Sequence, residues 1–236
     1  MSFTRAIFSK SVFFLALIPI FAVWGFWVTY FTRPPETLAI WDHLHGYGMF
    51  AWVLLLVLQS FLIRSNRRPI HRQTGKLAWV LGPWIIVTTI MLAHYRLNFR
   101  GLTNEALYFL GLQVFILIQY TVFYFMALRH RKQPDVHARW MICTAFSLLD
   151  PIFARILAVN FIRVPFETGI IQYITYSFID LIVIVLVMRD WKGERRRDVF
   201  LPALILLVVT QICTLVALKV PAWHAFGEWY AGLPLT

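Results

Sequence analysis

The sequence predicts an all-α fold, a polytopic integral membrane bundle of seven transmembrane helices. Three observations predict it. Of the 236 residues, 60% are hydrophobic and 14% charged, where a soluble domain carries about a quarter charged residues. Seven apolar runs are each long enough to cross the hydrocarbon core, which takes about 20 residues of helix. The basic residues behind the net charge of +11 sit in the short gaps between those runs. That placement reads as a topology signal and argues against a nucleic-acid partner, which calls for a continuous basic face.

The spans are expected at 11–31, 40–63, 76–97, 104–128, 137–160, 168–188 and 199–219. The first lacks a small-residue cleavage site at its end and is too long for a signal-peptide core, so it reads as a retained helix. Pro34-Pro35 ends it, because proline cannot continue a helix. Asp42 is positioned to cap the second. The basic stretch from Arg64 to Lys76 separates the second from the third and reads as a loop, and Gly101 closes the third. Thr103, Asp135 and Thr168 are the expected N-caps of the fourth, fifth and sixth. Pro151 interrupts the fifth and predicts a kink there. No stretch between spans is long enough to fold alone, so residues 1–236 read as a single transmembrane domain. Cys143 and Cys213 both fall inside apolar runs, which excludes a disulfide framework and a paired thiolate metal site.

Orientation follows from the Lys/Arg bias. The N-terminal segment and the gaps at 64–76, 129–139 and 189–198 hold 16 of the 22 basic residues. These gaps share one face, so the N-terminus is expected in the cytoplasm and the C-terminus outside, in a bacterial inner membrane. Anionic lipid head groups are the expected partners of the basic loops. Lys219 stands at the end of the last span rather than near its middle, which disfavours a retinal Schiff base.

Ionisable groups inside a membrane are costly and face the bundle interior or a water-filled cavity. The outer half contains His45, His94, Asp150, Arg155 and Asp180. His43 and His45 point to different faces of one helix, and His45 is the inward one because Met49 and Trp52 continue its face. His45 and His94 fall at similar depth on consecutive antiparallel spans and can meet. Asp150 and Asp180 lie near the centres of their helices, with Arg155 as the expected counter-ion of either. These groups read either as a structural Asp–Arg bridge or as proton carriers, catalytic groups or metal ligands. His45, His94, Asp150 and Asp180 together form a candidate set for a divalent metal such as zinc. The inner rim holds Gln59, His71 and His137. No phosphate-binding loop, His-Glu-x-x-His or Gly-x-Ser-x-Gly motif occurs.

The pattern His45, Gln59 and His71-Arg72-Gln73-Thr74-Gly75 resembles a group of uncharacterised bacterial multi-pass membrane proteins. Over two of the seven spans they share a histidine entering one helix, a glutamine near its end and His-Arg-x-x-Gly before the next. His45-Gly46-Tyr47-Gly48-Met49 with Arg64 is also similar to transmembrane b-type cytochromes. That resemblance implies haem b clamped by histidines: His71 with His137 at the inner end, and His45 with His94 at the outer end. The fourth span departs from the cytochrome pattern because no histidine opens it.

Several function classes follow. One is a redox-linked, haem-binding protein or an accessory or assembly subunit of a membrane electron-transfer complex. Another is a metal-dependent hydrolase with its site in the outer half. A third is a lipid- or pigment-binding structural subunit. A proton or ion path through Asp150, Asp180 and Arg155 is a fourth, disfavoured because no inverted repeat is visible.

Overall fold

The structure is a computed structural model that describes residues 3–165, 168–192 and 199–236. Its elements are α1 (Phe3–Phe26), α2 (Ile40–Arg64), α3 (Arg68–Thr74), α4 (Ala78–Arg100), α5 (Asn104–Arg129), α6 (Pro134–Asn160), α7 (Ile170–Lys192), α8 (Phe200–Val216) and α9 (Pro221–Ala231). Seven helical segments are long and apolar enough to span a membrane, from Ser11–Phe31 through Phe200–Lys219. Their ends fall close to the expected ones. Arg195, Arg196 and Arg197 of the charge bias lie outside the described residues. The two ends of the bundle are called outer, where His45 and His94 stand, and inner, where the basic gaps cluster.

Three local expectations are revised. The segment between the second and third spans is not a loop. It forms the short helix α3, and a 3-10 turn at Gly75–Leu77 leads directly into α4. Pro69 in its first turn makes this possible, since a first-turn proline gives up no intrahelical hydrogen bond. α6 begins at Pro134, so Asp135 lies in the first turn rather than at the cap, where its charge still complements the helix dipole. Residues after Lys219 form α9, whose Trp223, Phe226 and Tyr230 pack on α4 and α5. Thr103 caps α5 as expected, accepting from Ala106 N–H at 3.1 Å. Thr168 Oγ1 accepts from Ile170 N–H at 3.4 Å. Asp42 accepts from Ala39 N–H at 3.1 Å at the start of α2.

The spans form two rings that share a wall. α1, α2, α4, α5 and α6 make a five-membered ring, because α1 packs on both α2 and α6. α5, α6, α7 and α8 make a four-membered ring on the other side of α5 and α6. Each ring has its own core. Trp52, Ile85, Tyr124, Leu148 and Ile152 fill the first; Phe123, Cys143, Ile179, Val183 and Leu207 fill the second. Outward-facing side chains such as Phe14, Ile20, Val80 and Leu181 are exposed and apolar, as in a bundle with lipid around it. Gly25 is where α1 and α6 come closest: a Cβ there would stand 2.7 Å from the Ile152 carbonyl oxygen.

Candidate functional site

The outer half of the five-membered ring gathers polar groups from α1, α2, α4 and α6. His45 sits on the inward face of α2. Its Nδ1 lies 3.3 Å from Thr89 Oγ1 and 3.5 Å from Thr88 Oγ1. Both threonine hydroxyls already donate to carbonyls of their own helix, Thr89 to Ile85 at 2.7 Å and Thr88 to Trp84 at 2.8 Å. With both hydroxyls so engaged, their oxygens are able to accept from an Nδ1–H of His45, the tautomer that leaves the lone pair on Nε2. Asp42, one turn above, forms an ion pair with Arg96 of α4. Both His45 and Arg155 are within electrostatic reach of that pair and of each other. Bundle surrounds His45, Arg155 and Thr89, yet each keeps accessible surface. They stand at the margin of the packed core, which is filled beside them by Trp52 and Ile85.

Arg155 is within electrostatic reach of Asp150 without touching it. Among the described residues it makes no ion pair with Asp150 or Asp180. It donates instead to the Pro151 carbonyl of its own helix at 2.9 Å, and its guanidinium lies 4.3 Å from the Phe26 ring centre. A guanidinium has five N–H donors in a fixed fork, so that one bond uses a small part of Arg155's donor capacity. Asp150, buried in the shared wall, accepts from Thr175 of α7 at 2.5 Å. Asp180 accepts from Gln211 of α8 at 3.0 Å. The intramembrane carboxylates thus join neighbouring helices through neutral donors, not through the guanidinium. A hydroxyl or amide does this without burying a second charge.

His45 and His94 are held by different partners. His94 Nδ1 lies 2.6 Å from Thr236 Oγ1, its ring meets Tyr230 edge-on, and Asn98 contacts both of its nitrogens. The returning C-terminal segment therefore takes up this histidine. Among the described residues no three His, Cys, Asp or Glu side chains are placed to hold a metal ion; His45, His94, Asp150 and Asp180 do not form a ligand set.

At the inner rim the resembled motif converges. Gln59 contacts Thr74 at 2.7 Å and, with its amide turned to satisfy every neighbour, donates to the His71 carbonyl and Nδ1 and accepts from Gly75 N–H at 3.2 Å. The glutamine clamps α3 and the turn after it onto α2. His137, one turn inside α6, is within electrostatic reach of His71, and its Nδ1 lies 2.8 Å from the Ala127 carbonyl. His137 Nδ1 is therefore protonated and its Nε2 bears the lone pair. In His71, Nδ1 accepts from Gln59. Both inner-rim histidines thus have Nδ1 engaged by a neighbour.

Among the described residues, sequence reasoning missed three ion pairs, of which Arg100–Glu105, at 3.5 Å, is exposed at the turn between α4 and α5. Asp42–Arg96 joins α2 to α4. Arg139–Asp190, at 3.2 Å and only 5% and 3% exposed, joins the inner ends of α6 and α7. Arg96 and Arg139 read as members of charged helix ends, and spacing along one helix carries no signal for a partner on another.

No protein-family model, curated protein or solved structure matches the chain.

Proposed function

We propose that His45 and Arg155 line a crevice in the outer half of the bundle, where this integral membrane protein binds the polar head of a small amphiphile and exchanges a proton with it. The observation that carries the reading is the pair of threonine hydroxyls at His45 Nδ1, which favours the tautomer with its lone pair on Nε2. Nε2 is then an acceptor, set in the same crevice as the remaining donors of Arg155. A head group with an acceptor oxygen for Arg155 and a hydroxyl for His45 satisfies both at once. His45 takes the hydroxyl proton as general base, while the guanidinium stabilises the oxyanion that is left. The Asp42–Arg96 pair at the mouth keeps the surroundings polar without removing either function. A quinol-type head group meets this description and keeps the redox-linked role expected from the sequence, in an inner membrane whose outer leaflet supplies the ligand. No step is assigned to haem or to a metal.

Calorimetry on the purified chain in nanodiscs, with a short-chain benzoquinol and a 2-hydroxycarboxylate as probes, tests this. One of the two is expected to bind with release or uptake of a proton, read from the buffer dependence of the heat. His45→Ala should weaken binding about tenfold, near 1.4 kcal/mol, and abolish the proton exchange. Arg155→Met should weaken it by a similar factor and leave the proton stoichiometry in place. Absence of binding by both probes, or unchanged binding and proton exchange in His45→Ala, would remove the proposal.

A further inference from the structure

Asp180 stands near the middle of α7 and is only half-buried. It does not face the packed interior of the four-membered ring, which is filled at its level by Ile179, Val183 and Leu207, each 2% exposed or less. Residues three and four apart share a helix face: on one side of Asp180 stand Tyr176 and Val183, buried against the ring, and on the other Ser177 and Ile184, exposed and continued by Tyr173 at 56% and Trp191 at 55%. Asp180 therefore stands at the border between the packed face of α7 and the face turned to the membrane. One carboxylate oxygen accepts from Gln211; the other has no donor among the described residues and remains accessible. Water and lipid head groups are absent from the bilayer centre, roughly 15 Å from either interface. A donor at that depth must be a side chain of another helix.

We propose that the Tyr173–Ser177–Asp180–Ile184 face of α7 is the docking surface for a partner transmembrane helix carrying a lysine or arginine near its middle. Charge complementarity selects this partner. A second copy of the same chain would bring carboxylate against carboxylate on this face, whereas a cation from a different helix completes an ion pair whose acceptor Gln211 already orients. Ser177, a small residue one turn from Asp180, lets a partner backbone approach closely. The inference is independent of the outer crevice and fits an accessory role in a larger membrane assembly.

The test uses the full chain in phosphatidylcholine vesicles with two synthetic transmembrane helices, identical except for a central lysine or leucine, and energy transfer as readout. The lysine helix is expected to associate at least tenfold more tightly than the leucine helix. Asp180→Asn, which keeps the shape and the contact to Gln211, should erase that preference. Ser177→Leu should weaken the lysine helix while leaving Asp180 charged. Equal binding of the two helices to the unaltered chain overturns the proposal, as does a preference that survives Asp180→Asn. Self-association that depends on Asp180, without preference for the lysine helix, also overturns it and marks a face between copies.

Discussion

At the scale of single residues, chemistry depends on which atom of a side chain is already occupied. His43 and His45 are two positions apart and have different roles. His43 bonds Tyr30 at 2.8 Å and the Pro35 carbonyl at 3.2 Å, tying the first hairpin together. His45 keeps one nitrogen free. His94, equally histidine and 1% exposed, is committed to the C-terminal segment. Tyr230 belongs to the same outer-end contact and makes a pH prediction. Its hydroxyl donates to the Ile90 carbonyl at 2.6 Å, and burial pushes its pKa up to about 12. An unfolded tyrosine ionises near pH 10, so above that pH the unfolded state binds fewer protons than the folded one. Stability from this contact is therefore present below about pH 10 and lost as the pH rises toward 12. Attachment of α9, followed by Trp223 and Trp229 fluorescence, should weaken over that window. Tyr230→Phe should flatten the response and cost about 0.5–1.5 kcal/mol at neutral pH.

At the scale of elements, helix boundaries were legible and helix partners were not. The six spans that keep their expected outline do so because apolar length is a property of a single segment. α3 was hidden by its own charge: a run holding Arg67, Arg68, His71 and Arg72 reads as a loop until Gln59 is seen holding it in place. The signal for α9 was present in Pro221 followed by Trp223, Phe226 and Tyr230 at helical spacing. Close approach of elements is equally invisible in one segment. Gly25 shows no special turn geometry, and its role comes wholly from the Ile152 carbonyl across the α1–α6 contact. Gly25→Ala should push the two helices apart and destabilise the bundle by about 1–3 kcal/mol. The check is thermal unfolding in detergent; an unchanged midpoint would mean that α1 does not pack on α6 at this point.

At the scale of the whole molecule, two rings sharing α5 and α6 explain why polar groups fall into separate places. The five-membered ring holds His45 and Arg155, both partly buried, at its outer end. The four-membered ring is threaded by neutral hydrogen bonds such as Tyr108–Gln172 at 2.6 Å and Gln119–Thr210. Each such bond satisfies a polar group that lipid cannot. The charge bias makes a prediction for the entire chain. A cysteine introduced at Asn66, at the inner end, should be shielded from a membrane-impermeant thiol reagent in intact cells. One introduced at Leu102, at the outer end, should react. The opposite pattern would invert the orientation and move the crevice to the cytoplasmic side.

What the sequence by itself determined is the membrane-spanning all-helical class, the number of spans and the identity of the costly intramembrane residues. These follow from local composition, since the bilayer judges each segment on its own apolar length and charge. Tertiary structure alone decided which residues meet. It gave Asp42 to Arg96 and Asp150 to Thr175, and it held His94 with the C-terminal segment. It also brought His45 within electrostatic reach of Arg155 and set Asp180 at the edge of the packed face of α7. Pairing across helices depends on rotation, depth and neighbour order, and in a bundle of similar apolar helices no single segment encodes those.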